Sequence, residues 1–457
     1  MSLIISGGTV VTAEGQFQAD VRVDGGQIAA VGRGLAQAGD EVIDADGKHI
    51  LPGGIDVHTH LSMPSMGTVT CDDYYTGQVA AVMGGTTTHL DFCIQPKGSS
   101  LKAALDTWHG RARGQAVIDY GFHVAVTDPL PEVLDEIATL PDQGVTSIKL
   151  FLAYKDTLQV DDTALFRCLE RARDAGVLTL VHAENGDAIE VLMAEAVARG
   201  ETAPKYHALT RPPELEAEAT GRAVALAEVL GAPLYIVHLS CRPALVRVRE
   251  AQARGARVTA ETCTQYFFFT KDDLDRPGFE GAKWVCSPPP REKEDQQALW
   301  AAVADGTLSV ISTDHCPFRF DSQKTLGRDD FTLIPNGVPG IEERLMVLHQ
   351  AGVRGGHFSL ERFVALTATN PARSFGLGGV KGSVAPGYDA DLALWNLARP
   401  HMITAATNHS AVDYSLYEGM AVQGRPVTVL IRGQTVMHEG RLLAERGSGQ
   451  FLHRQRI

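Results

Sequence analysis

Four histidines, one lysine and one aspartate carry the chemistry legible in this 457-residue chain. His58 and His60 lie in IDVHTH, Lys149 in SIKLF, His182 in LVHAEN, His238 in IVHLS and Asp314 in ISTDH. Each closes a run rich in Val, Ile, Leu or Thr, and a helix-like segment follows each run. Imidazole nitrogens and carboxylate oxygens are ligands for divalent metals. Strand ends that converge on one rim of a barrel would bring such groups to a common centre.

The spacing of His58 and His60 matters because residues two apart in a strand point to the same side. Taken singly, His182, His238 and Asp314 also read as polar strand ends or helix N-caps. Their recurrence at the corresponding point of separate strands favours a metal site. Lys149 stands apart, since an ammonium is repelled by metal ions. One reading is a surface lysine paired at a strand end. The other is an amine kept neutral by burial, which takes up carbon dioxide to become an anionic carbamate.

The elements that must place these groups follow a repeating pattern. Eight strand candidates appear: HILPGGIDVHTH, TTTHLDF, YGFHVAV, SIKLFLAY, LTLVHAE, LYIVHLS, RVTAETC and LSVISTD. Helix-like segments alternate with them, including 72–85, 131–144, 162–176, 214–231 and 242–255, several ending on Gly. Two further helical stretches, 339–350 and 360–377, come after the last strand. Eight β/α units over about 265 residues match a (β/α)8 TIM barrel, an α/β fold. A doubly wound open sheet uses the same alternation, but it would not gather ligands from strands 1, 4, 5, 6 and 8.

Both ends of the chain read differently. Residues 1–50 and 383–440 alternate apolar and polar residues around Gly and Asp-Gly turns, the texture of antiparallel strands. The expected organisation is therefore residues 1–51 and 379–440 as two halves of one small β-sandwich, enclosing a barrel over 52–378. Residues 441–457, running through GSGQFLHRQRI, form a tail whose Phe451 and Leu452 are expected to dock on a neighbouring subunit.

Composition excludes several function classes. Forty-one Lys+Arg against 55 Asp+Glu give a net charge of −14, with no basic stripe, which argues against nucleic acid or an anionic membrane as partner. No apolar run approaches the roughly 18 residues of a membrane span. The opening MSLIISGGTVVTAEG reads as a strand and turn, not as a secretory leader. Seven scattered cysteines without a CxxC pair suit free thiols in a reducing cytoplasm.

With these residues in view, the chain resembles the cyclic amidohydrolases, specifically the D-hydantoinase and dihydropyrimidinase family. The likeness rests on GGIDVHTH, SIKLFLAYK, VHAENGD, HALTRPPELEAEATGRA, YIVHLS and STDHCPF and runs from the first barrel strand to the tail. It implies a two-zinc site. His58 and His60 would bind one ion and His182 and His238 the other, with carbamylated Lys149 bridging them. Asp314 would ligate the first ion and carry the proton. Tyr154 would hydrogen-bond the developing oxyanion. Ser287 in CSPPPRE and Asn336 in IPNGVPG would hold the ring amide through main-chain groups, although CSPPPR departs from the family's CSPPLR. Met63 and Ser65, in the loop after His60, would face the substrate's side chain.

The implied reaction is hydrolytic ring opening of hydantoins or 5,6-dihydropyrimidines to N-carbamoyl amino acids by a bridging hydroxide between metals roughly 3.5–4 Å apart. The resemblance also implies a cytoplasmic homotetramer or dimer. Within the superfamily, dihydroorotase-like chains carry an arginine two residues beyond the His-x-His pair; Ser62 stands there. Allantoinase remains an alternative. The non-catalytic collapsin response mediators share the fold but lack the zinc ligands, all six of which are filled here.

Overall fold

The computed structural model describes residues 2–457 and contains two main sheets. The first is a barrel of eight parallel strands in chain order: Gly54–Thr59, Thr86–Ile94, Asp119–Ala125, Ser147–Phe151, Leu178–His182, Leu234–Ile236, Val258–Cys263 and Val310–Ser312. It closes where Thr59 bridges His315 in parallel and His60 N–H donates to the His315 carbonyl at 2.8 Å.

Side-chain alternation sets what the barrel encloses. Leu178 and Leu180 join the interior cluster with Phe92, Tyr235 and Phe375, while Val181 packs outward under the helices. Ile148 and Leu150 also pack outward, which leaves Lys149 between them aimed inward. Helices Asp162–Ala175 and Pro213–Leu230 sit where their periodicity predicts, each ended by a glycine in the left-handed region. The single helix expected over 131–144 divides into a short α-helix, Pro131–Glu136, and a 3-10 segment, Ile137–Gln143. Pro141 inside it has no N–H to continue an α-helical ladder.

The second sheet has nine strands drawn from both chain ends. Its seam is the antiparallel pairing of His49–Pro52 with Leu392–Trp395. Not all of it is antiparallel as expected, because Leu3–Val11 runs parallel to both Glu41–Asp44 and His49–Pro52. Ile5, Val21, Ile50, Leu392, Leu394 and Leu430 form its core. Neither chain end could bury this face alone, so the two halves need one another.

The tail has its own place in the fold. It lies along its own barrel: Tyr120 N–H donates to the Gln450 carbonyl at 2.9 Å, and Leu452 N–H donates to the Tyr120 carbonyl at 2.8 Å. Phe451 packs against His109, Tyr120 and Phe122, and Leu452 joins the interior cluster at the barrel's closed end. Arg454 is buried and donates to Ser147 Oγ at 2.9 Å. Within one chain the tail docks on its own barrel, because the third strand offers unpaired backbone groups within reach. Gly376 makes the approach possible: a Cβ there would overlap the Gln455 carbonyl.

Candidate active site

The ligand-type residues meet at the open, C-terminal end of the barrel. His58, His60 and Asp314 form one group whose ligand atoms lie within 4.8 Å of one another. His58 Nε2 is 3.1 Å and His60 Nε2 3.0 Å from Asp314 Oδ1, and Lys149 Nζ is 3.2 Å from His58 Nε2. His238 bridges towards the remaining histidine, its ring centroid 5.4 Å from that of His58 and 4.6 Å from that of His182. Lys149 is not at a strand end, as its motif suggested, but third of five in Ser147–Phe151.

Burial sets the protonation of three of these histidines. It holds His60 down to about 4 and pushes His182 and His238 below the ordinary imidazole range, so all three present lone pairs. Burial also lowers the Lys149 amine to about 8, with Phe92 and Phe151 packed on the ammonium. Burial would raise Asp314, but His58 and His60 outweigh it and keep the carboxyl well below the usual range.

A cavity of about 300 Å³ opens above these residues. Lys149, His60, His182, His238 and Asp314 line its floor, and Tyr154, Ser287, Asn336, Met63 and Ser65 line its walls. Of the residues singled out in the sequence, only His58 does not reach the cavity; it lies beneath, 0 % exposed. The hydroxyl of Ser287 is taken up by His207 Nε2 at 3.2 Å and Asn336 Nδ2 at 3.3 Å. Its main chain is thereby left as the part that can meet a ligand. The wall also contains Ile94, Met66, Leu158 and Cys316, which the sequence did not single out, and it contains no arginine.

Two carboxylates missed in the sequence hold the histidines. Glu261 Oε1 accepts from His58 Nδ1 at 2.5 Å, and Glu184 Oε2 lies 2.9 Å from His182 Nε2. Such partners fix which ring nitrogen faces a metal. Glu184 sits in the VHAEN motif two residues from its histidine, so strand periodicity could have found it; Glu261 is 203 residues from His58 and could not be found that way. Glu216 continues the support, accepting from Ser240 N–H and from Arg291, both at 2.8 Å.

The donor set suits metal ions. His60 Nδ1 and His238 Nδ1 are buried without any hydrogen-bond partner, an arrangement proteins rarely leave uncompensated. Backbone strain gathers at the same place. Among the described residues, eight non-glycines have positive φ, and six of them (Ser62, Met66, Tyr154, Asp156, His238 and Asp314) lie in the site or its loops. Such conformations cost free energy and persist where surrounding structure imposes them.

Comparison with known proteins agrees with this geometry. Residues 49–436 match the amidohydrolase family. A D-hydantoinase from Rhizobium radiobacter is 50% identical over 456 residues, covering 100% of this chain and 99% of its own. One from Geobacillus stearothermophilus is 49% identical, covering 99% and 97%. The crystal structure of dihydropyrimidinase from Brevibacillus agri NCHU1002 superposes with a TM-score of 0.99 at 49% identity, covering 100% of this chain and 99% of that one. By family, full-length similarity and fold, the chain belongs to the D-hydantoinases and dihydropyrimidinases of the amidohydrolase family and is a cyclic amidohydrolase.

Proposed function

We propose that the chain opens the rings of hydantoins and 5,6-dihydropyrimidines, giving N-carbamoyl amino acids, at a site for two zinc ions. His58, His60, His182, His238 and Asp314 would hold the ions together with Lys149 in its carbamylated form. The observation that carries this reading is the convergence of three buried imidazoles, two of them with a partnerless ring nitrogen, and a buried lysine on the floor of one cavity. An unmodified ammonium there would oppose cations. With its amine lowered to about 8, Lys149 has a neutral fraction at physiological pH that can attack carbon dioxide. The new N–C bond and the loss of one proton leave an anion with two ligand oxygens.

When bound, the metals supply Lewis acidity and a water-derived nucleophile at neutral pH. The protein's own groups do the rest. Asp314, held ionised, takes the proton of the attacking water and delivers it to the leaving ring nitrogen. Tyr154 is kept as a phenol, chiefly by burial, and its O–H donates to the oxyanion that forms at the attacked carbonyl. Main-chain groups of Ser287 and Asn336 hold the ring amide. Met63 and Ser65 face the substituent, in a wall that Met66 and Leu158 make apolar.

The absence of arginine from the lining disfavours dihydroorotate, whose carboxylate would lack a bidentate partner. Allantoin is distinguished by assay. A homotetramer in the cytoplasm belongs to the same reading; it rests on the family resemblance and on seven free cysteines. No helix is long and apolar enough to cross a membrane among the described residues. The test is elemental analysis of the purified protein together with ring opening of dihydrouracil, hydantoin, 5-substituted hydantoins, allantoin and dihydroorotate. Two metals per chain and turnover of the first three are expected. Preference for dihydroorotate, or active enzyme with one metal or none, would overturn the proposal.

A further inference from the structure

Lys324 is one of the largest fully buried side chains, and no catalytic role has been given to it. Its Nζ donates to three main-chain carbonyls: Val285 at 2.9 Å, Pro335 at 2.7 Å and Gly337 at 2.8 Å. Among the described residues no carboxylate pairs with it. Three acceptors match the three N–H groups of an ammonium. Burial lowers this amine to about 7, and three carbonyls gathered on one buried nitrogen, whether charged or neutral, are an arrangement that packing alone does not call for.

The three carbonyls belong to two segments that the fold brings together from different parts of the chain. Val285 lies two residues before Ser287, and Pro335 and Gly337 flank Asn336. Ser287, Asn336 and Gly337 all line the cavity. The segments are tied further by Gly337 N–H donating to the Val285 carbonyl at 3.0 Å and by Asn336 Nδ2 donating to Ser287 Oγ at 3.3 Å. Gly337 has φ +146, and a Cβ there would overlap the Cys316 carbonyl, so the close approach of this backbone to Cys316 requires glycine. The neighbouring Gln323 reaches the opposite way. Its amide donates to Thr68 Oγ1 at 2.8 Å and to the Val69 carbonyl at 2.7 Å, on the hairpin that carries Ser65 and Met66.

We propose that Lys324 is a positioning residue for substrate binding. It clamps segments 285–287 and 335–337 at the spacing at which their main-chain groups grip the ring amide. Gln323 beside it ties that clamp to the rim hairpin. The inference rests on the reading of Ser287 and Asn336 given under Proposed function. It concerns the ring and not its substituent, so hydantoin and 5-substituted hydantoins should feel its loss equally.

The experiment compares wild type with Lys324→Met, of similar length but without charge or donors, and Lys324→Gln, which keeps part of the donor set. With metal content unchanged, Lys324→Met should lower kcat/KM by roughly tenfold or more, carried mainly by KM. The ratio between hydantoin and 5-substituted hydantoins should stay constant, and Lys324→Gln should recover part of the loss. The idea is overturned if folded Lys324→Met keeps its KM, if metal content falls with activity, or if only substituted substrates suffer. It is equally overturned if neither variant folds, since Lys324 would then be a stability residue alone. A wild type that opens none of these rings defeats the underlying reading instead, which keeps the two failures apart.

Discussion

The two ends of the barrel each bury a cluster of charged side chains, and the clusters are finished differently. At the closed end, Asp119, Asp389 and Asp391 surround Lys381, whose Nζ lies 2.7, 3.0 and 2.5 Å from the three carboxylates. Arg432 pairs with Asp119 as well, and Gln450 N–H from the tail donates to it at 3.0 Å. Every partner there is another protein group. At the open end the carboxylates are too few for the donors: two buried imidazole nitrogens have no partner, and Lys149 forms no ion pair among the described residues.

By spacing alone, both groups of acids or histidines could hold a metal ion. What separates them is satisfaction. A buried polar network completed by protein joins one part of the fold to another. Here it joins the third barrel strand to the C-terminal half of the second sheet and to the tail. A network left incomplete beside a cavity has room for a ligand. Composition would not distinguish the two; the hydrogen-bond inventory does.

That contrast can be broken experimentally, and the largest effect should come from Lys149. Lys149→Ala should abolish turnover and metal binding together, with partial recovery on adding short carboxylic acids. An alanine variant retaining full activity would mean that the open-end cluster is as structural as the closed one. Asp314→Asn should keep the fold and lose turnover by about 10²–10⁴-fold, since an amide cannot carry the proton. A near-wild-type kcat would move that role to another group.

At the closed end the signature should invert. Lys381→Met removes the cation shared by Asp119, Asp389 and Asp391, leaving Arg432, on Asp119, as the one remaining basic partner among the described residues, and removing one partner of a buried ionic group costs about 3–5 kcal/mol. The urea midpoint should therefore fall while kcat per folded molecule stays unchanged. If kcat collapses at unchanged stability, the division of labour drawn here fails. The smallest effect should be at the wall: Leu158→Ala should change the preference among 5-substituted hydantoins by about tenfold, leaving unsubstituted hydantoin nearly untouched. Equal changes for both would place Leu158 outside the substituent's path.

Much of this protein was written in local pattern. The alternation of strand and helix runs, the pairing of His58 with His60 two residues apart, and the ligand-type residues at the ends of three further runs needed no coordinates, because strand periodicity and chain order determine them. The family likeness then named Tyr154, Ser287 and Asn336, and the loop after His60 offered Met63 and Ser65; all of these line the cavity. What local pattern could not supply are relations between residues far apart in the chain. Glu261 supporting His58, Lys324 spanning residues 285 and 337, and Arg454 returning to the third strand are juxtapositions made by barrel closure. The tail shows the limit most clearly. Its apolar and basic residues signalled that it would dock, but its place on its own barrel depended on a backbone edge several hundred residues upstream, which only the folded chain brings within reach.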